Sequence, residues 1–384
     1  MRLLSPQVKL AITLAVLLAC GLALIVGLRF LAPASPALHS GRTVTDAAGR
    51  DVSLPGRVDR VLCSGPGCLR LLTYLGAQGL AVAVDDAETR RRGLDARPYA
   101  LANPQFKSLP TFGEFRGHDN PELILDLSAQ PQVVFKTYAT MGHDPQELQE
   151  KTGIPVVVLD YGDLGSRRPA FYQALRLMGE VVGRKERAEA TVAFLEHHIR
   201  DLDERTGDIP ENKRPTVYLG GVAYKGPHGY RSTEPAYPPF LFVHARNVVR
   251  DGGRFDDLPH SDVAKEKILE WNPDYLFLDL STLQLGDAGG LYELKNDAAY
   301  ATLTAVKAGR VYGLLPYNWY AANYGSIVAN AYFVGKILYP DRFRDVDPKA
   351  KADEIYTFLV GKGVFGEMSR EFGRLAFQPI PLER

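Results

Sequence analysis

The sequence predicts an α/β protein: two Rossmann-like lobes with mainly parallel sheets, joined by one long α-helix. Three observations predict it. Short β-branched runs alternate with helical patterns from residue 43 onward, a stretch from 170 to 206 is helical alone, and the alternation restarts at 216. Strand, helix, strand in that rhythm makes a parallel sheet with helices on both faces. At 384 residues the chain also exceeds the ~250 to 300 at which a single hydrophobic core stops growing.

In the first lobe, expected over 43–167, VDRVLCS (58–64) reads as a strand and CLRLLTYLGA as a helix after a GPG turn. GLAVAVD (79–85) is a second strand, and PELILDLSA is a short helix whose Pro121 suits the first turn. QVVFKTY (132–138) and IPVVVLDY (154–161) are strands flanking the helix DPQELQEKTG. A helical linker is expected over 168–207. Phe171, Leu175, Met178 and Val182 share one face, Gly183 breaks the run, and Ala188, Val192, Leu195, Ile199 and Leu202 share one face of a second helix. From Lys185 to Thr206 that helix would reach ~33 Å, with His197 and His198 in solvent. The second lobe, expected over 213–384, opens on the strand TVYLGGV (216–222). PPFLFVHARNVVR and AKEKILEWN read as helices and DYLFLDL (274–280) as a strand. YATLTAVKAGRVYGLL is a helix and then a strand at 310–315; helices follow at Gly325 to Ile337 and beyond Pro340.

Forty-five basic residues balance forty-five acidic ones, so no net field recruits nucleic acid. The first 34 residues stand apart. Leu10 to Leu28 is an uncharged apolar run, close to the ~20 residues that span a bilayer, behind Arg2 and Lys9. Residues 1–34 are therefore a secretory signal sequence or an N-terminal membrane anchor, with the rest of the chain outside the cytoplasm. Cys63 and Cys68 either close a small disulfide loop there or remain free thiols.

In open α/β sheets, ligands lie beyond the carboxyl ends of strands. Three loops in such positions carry chemistry. SGPGC (64–68) offers backbone amides, with Arg70 one turn inside as either a cleft or a surface residue; the loop after residue 138 carries Tyr138, Met141 and His143. The third, YKGPHGYRSTEPAY, brings Tyr224, Lys225, His228, Tyr230, Arg231 and Tyr237 after a strand of the second lobe. A further aromatic set, Tyr317, Trp319, Tyr320 and Tyr324, follows the strand at 310–315. Aromatic faces cover a flat or greasy ligand, Lys and Arg neutralise its charge, and His228 is a candidate ligand for a metal. No HExxH, GxSxG or GxxxxGK[ST] occurs, nor any close cluster at metal-ligand spacing.

TVTDAAGRDVSLPGRVDRVLCSG, NPELILDLSAQPQVVF, TGIPVVVLD, LKNDAAYATLTAVKAGRVYGLLP and YPDRF together give the chain a family likeness. It resembles the substrate-binding proteins of ABC importers for iron-siderophores, haem and cobalamin. The resemblance implies a clamshell without an intrinsic cofactor, whose cargo is an iron chelate; haem or a corrinoid would be held by the same mechanism. It also implies an ABC permease and its ATPase as partners, with Glu122 in NPELIL and Glu266 in AKEKIL docking onto the permease. The rival class is an exported metal-chelatase-like enzyme on paired α/β lobes.

Overall fold

The computed structural model describes residues 41–90, 93–250 and 258–382. The signal or anchor expected over 1–34, with its apolar run at 10–28, lies outside the described residues. Among the described residues no helix is long and apolar enough to cross a membrane.

The first lobe is built on the parallel strands Val61–Ser64, Val133–Thr137 and Val156–Leu159, with Val133–Thr137 in the centre. Every position of all three is buried, which is why they read as unbroken apolar runs rather than alternating ones. The strand expected over 79–85 is divided between two sheets. Ala81 bridges to Val61, while Val84–Asp85 pairs with Thr111–Glu114 in a second small sheet. A buried ion pair, Lys136 Nζ to Asp119 Oδ2 at 2.6 Å, ties that small sheet to the central strand of the main one. Cys63 and Cys68 are buried free thiols, the second of the two alternatives, and Cys68 Sγ donates to Phe135 O at 3.6 Å.

Helices Arg168–Val181 and Lys185–Thr206 follow as expected, broken where Gly183 takes a φ of 69°. The longer helix has 22 residues and buries Ala188, Val192, Leu195 and Leu202. His197 is exposed, but the expectation fails for His198, which is 2% exposed. The reason lies far along the chain. Tyr332 OH donates to Asp201 Oδ2 at 2.7 Å, so it accepts from His198 Nδ1 at 2.8 Å. Burial pushes the His198 imidazole down to a pKa of about 4, with Lys351 adding to the effect.

The second lobe carries a parallel sheet in the order Arg246–Asn247, Thr216–Gly220, Tyr275–Asp279, Val311–Leu314. The helix expected across PPFLFVHARNVVR is shorter. It ends after Pro238–Phe242, the backbone turns through His244 at a φ of 52°, and Arg246–Asn247 becomes the edge strand. Helix Tyr324–Leu338 is buried along most of its length among helices Pro238–Phe242, Lys185–Thr206 and Pro348–Val360. Helix Pro348–Val360 also packs on Cys68–Tyr74 and Pro98–Ala102 of the first lobe. Arg187 of the long helix locks this junction: its guanidinium donates to Tyr74 O at 3.0 Å and to Phe358 O, and lies 4.0 Å from the centre of the Phe358 ring. Phe194 stacks on the same ring at 3.8 Å.

The folded state favours neutral His198, so its contribution is fully present above pH ~6.5 and is lost as pH falls through about 4. Replacing His198 with Gln is expected to flatten this acid-side loss by an amount on the order of 2 kcal/mol. Urea unfolding at a series of pH values between those limits measures it, and an unchanged slope would sink the assignment.

Candidate functional site at the lobe seam

The opening strand Val61–Ser64 runs into SGPG and then helix Cys68–Tyr74. The turn needs glycine at 67: its φ is 84°, and a Cβ there would stand 2.3 Å from the Tyr161 ring. All residues from Ser64 to Cys68 are buried, so this loop is not the open amide cradle the sequence suggested.

The short helix places Arg70, fully buried, at the seam between the lobes. Its Nε donates to Asn323 Oδ1 at 3.0 Å, and its terminal nitrogens donate to Trp319 O at 3.2 Å, Tyr320 O at 3.0 Å and Tyr161 OH. The Tyr99 ring centre lies 5.0 Å from the guanidinium carbon. Among the described residues Arg70 makes no ion pair; phenols, an amide and backbone carbonyls supply its partners.

The loop meeting Arg70 is the aromatic one. Tyr320 and Ala321 hold positive φ of 51° and 63°, conformations that cost non-glycine residues of order 1 kcal/mol each or more. Asn323 Nδ2 holds the loop by donating to Tyr317 O at 2.9 Å and Trp319 O at 3.3 Å. Tyr320 OH crosses to Asp85 Oδ2 of the first lobe, where burial pushes the carboxyl up to about 7. Tyr161 OH donates to Ala322 O at 2.7 Å, and Tyr324 OH donates to Tyr161 O at 2.7 Å. The Tyr161 ring stands between Tyr138 at 6.0 Å and Tyr324 at 5.2 Å. Tyr138, Tyr320 and Tyr324 are thus gathered at the seam; Trp319 is buried there too, against Phe372.

The YKGPHGYRSTEPAY segment adjoins this loop, because Asn318 Nδ2 donates to Ala223 O at 2.8 Å. Its members divide. Tyr224, Lys225 and Arg231 are exposed and His228 is half-buried. Tyr230 and Tyr237 are fully buried and point into the second lobe. Tyr230 packs edge-on to Tyr218 and Tyr300 and lies over Gly220, where a Cβ would come within 2.4 Å of it. Tyr237 OH accepts from Asn330 Nδ2 at 3.1 Å. Both are core residues because the segment folds back on its own sheet. Close by, Tyr317 OH bonds Glu234, whose carboxyl is pushed up to about 8 by burial.

Sequence reasoning expected no close metal-ligand cluster, but the fold assembles one. His228, His260 and Asp262 each offer a ligand atom within 4.8 Å of the other two. His260 and Asp262 were not singled out in the sequence, because what brings them to His228 is the non-local pairing of Ser261–Asp262 with Ser232–Thr233. Glu122 and Glu266 are exposed in the first turns of helices Pro121–Leu125 and Lys265–Trp271. Leu123 and Leu125, 43% and 52% exposed, accompany Glu122 along a surface groove that also meets Glu114 and Lys151.

Comparison with known proteins agrees with this architecture. Molybdate-binding protein MolA of Haemophilus influenzae is 24% identical over 339 residues, spanning 82% of this chain and 90% of its own. Its solved molybdate-bound structure superposes with a TM-score of 0.62 at 21% identity over 84% of this chain and 98% of its own. A periplasmic solute binding protein from Veillonella parvula gives 0.66 at 19% identity over 88% and 97% of the two chains. The TroA-like periplasmic binding protein FepB of the same organism gives 0.58 at 21% identity over 84% and 97%. The family model described as periplasmic binding protein matches residues 62–317, more than half of the sequence, and the chain belongs to that family.

Proposed function

We propose that this protein, the extracytoplasmic substrate-binding component of an ABC importer, captures an anionic iron chelate of the siderophore type between its lobes and passes it to the permease and ATPase. The observation that carries the reading is Arg70. A permanent cation buried without a carboxylate is an electrostatic seat for an anion, because isolated charge in a low-dielectric setting is costly until it is compensated. Directly over the guanidinium the second lobe contributes the strained loop from Tyr317 to Asn323. Opening the seam would free Arg70 for the cargo while Tyr138, Tyr320 and Tyr324 cover the chelate, and Tyr224, Lys225, His228 and Arg231 approach from the adjoining segment. Haem or a corrinoid fits the same scheme. A second reading is favoured by MolA, whose name and bound structure give it molybdate: a small oxyanion would also suit a buried guanidinium.

Glu122 and Glu266 are proposed as the permease contacts. Exposed carboxylates on the two lobes supply register and association rate more than affinity, and the exposed leucines beside Glu122 supply apolar contact.

Titration calorimetry against ferric hydroxamate and catecholate siderophores, haem, cobalamin and molybdate tests the cargo. A ferric siderophore is expected to bind once and be recovered unchanged, with Arg70→Gln weakening it by roughly 30-fold or more; conversion of the chelate would instead mark an enzyme. Molybdate binding with every chelate silent would select the second reading. Glu122→Arg with Glu266→Arg is expected to leave cargo affinity unchanged and lower uptake into cells about tenfold or more, and normal uptake by the double variant would remove the docking roles.

A further inference from the structure

The segment that supplies Tyr224 and His228 is anchored more firmly than a loop of its composition requires. Tyr224 N–H donates to Gly226 O at 2.9 Å across Lys225, whose φ is 55°. The carbonyl of His228 accepts from Thr282 Oγ1 at 2.7 Å, and Tyr230 N–H donates to Glu293 Oε1 at 3.1 Å. Ser232–Thr233 then pairs antiparallel with Ser261–Asp262, in register Ser232 to Asp262. His260 directly precedes that strand and Asp262 ends it, and the anchored turn brings His228 within reach of both.

The hydrogen bonds fix the tautomer of both rings. A carbonyl only accepts, so His228 Nε2, 2.8 Å from Tyr224 O, carries a proton. Ser232 Oγ spends its hydrogen on Val222 O at 2.7 Å and must accept from His260 Nε2 at 2.9 Å. Each imidazole therefore keeps an Nδ1 lone pair, and each has the outer hydrogen bond that orients a metal-binding histidine. The Tyr224 ring lies parallel to His260 at 4.5 Å, so one residue positions both rings.

We propose that His228, His260 and Asp262 form a site on the second lobe for a divalent first-row transition cation. Ligands at ~2.0 to 2.2 Å from a tetrahedral ion stand about 3.3 to 3.6 Å apart, and the three ligand atoms already lie within 4.8 Å of one another. Two imidazoles and one carboxylate suit zinc, nickel or cobalt, and three protein ligands leave a coordination position to solvent. The site rests on the second lobe alone and does not depend on which cargo the seam accepts.

The test uses the full chain, stripped with chelator and titrated with zinc and nickel salts by calorimetry and with cobalt(II) by visible absorption. One ion per chain is expected to bind. His228→Ala and Asp262→Asn, each checked for unchanged circular dichroism, should weaken binding about 100-fold, while His197→Ala on the exposed face of the long helix should not change it. Absence of binding by the parent chain, or parental affinity in both His228→Ala and Asp262→Asn, would overturn the site.

Discussion

A guanidinium stays charged in a protein, so burying Arg70 obliges the chain to bring acceptors to it. Three of its four acceptors lie at positions 319, 320 and 323, some 250 residues further along the chain. That requirement shapes the seam. The loop from Tyr317 to Asn323 adopts two left-handed residues in succession, and Asn323 turns its amide nitrogen inward to hold the loop while its oxygen receives Arg70. Strain of this kind persists only where the surroundings over-determine it. Here they are the Tyr161, Tyr324 and Asp85 contacts that cross from one lobe to the other.

The rest of the molecule keeps the two sides of that seam in place. The helix Lys185–Thr206 does not stand free between the lobes. Its Arg187 and Phe194 grip Phe358, whose own helix packs on the first lobe although it lies near the end of the chain. A rod braced in this way resists wide hinge bending, because separating the lobes about it must disturb stacked rings and carbonyl hydrogen bonds together. The seam itself combines both kinds of contact, since Tyr324 stacks on Tyr161 at 5.2 Å and on Phe171 at 3.9 Å while its hydroxyl donates to Tyr161 O.

The parts of this architecture that were legible in the sequence are those governed by local periodicity. Val133–Thr137 and Val156–Leu159 declare themselves as apolar runs, and Ala188, Val192, Leu195 and Leu202 mark the buried face of the long helix without any knowledge of its neighbours. Tertiary partners decide the rest. His198 sits on that same face, yet only Tyr332, 134 residues away, explains its burial. GLAVAVD reads as one strand from its alternating valines but is shared between two sheets, because Ala81 and Val84 find different partners. Tyr230 and Tyr237 look like their neighbour Tyr224 in composition, and only the return of the segment onto its sheet separates core from surface.

Two glycines at and before that segment are explained by this division. Gly220 admits the Tyr230 ring where any side chain would collide, and Gly229 lies so close to Glu293 that a Cβ would stand 2.2 Å from its carboxylate oxygen. The chain can therefore bury one tyrosine deeply and, within six residues, present another with a histidine and a lysine at the surface. The irregular segment is fixed at His228 from two sides, by the Thr282 hydrogen bond to its backbone carbonyl and by the hydrogen bond of its ring to Tyr224 O.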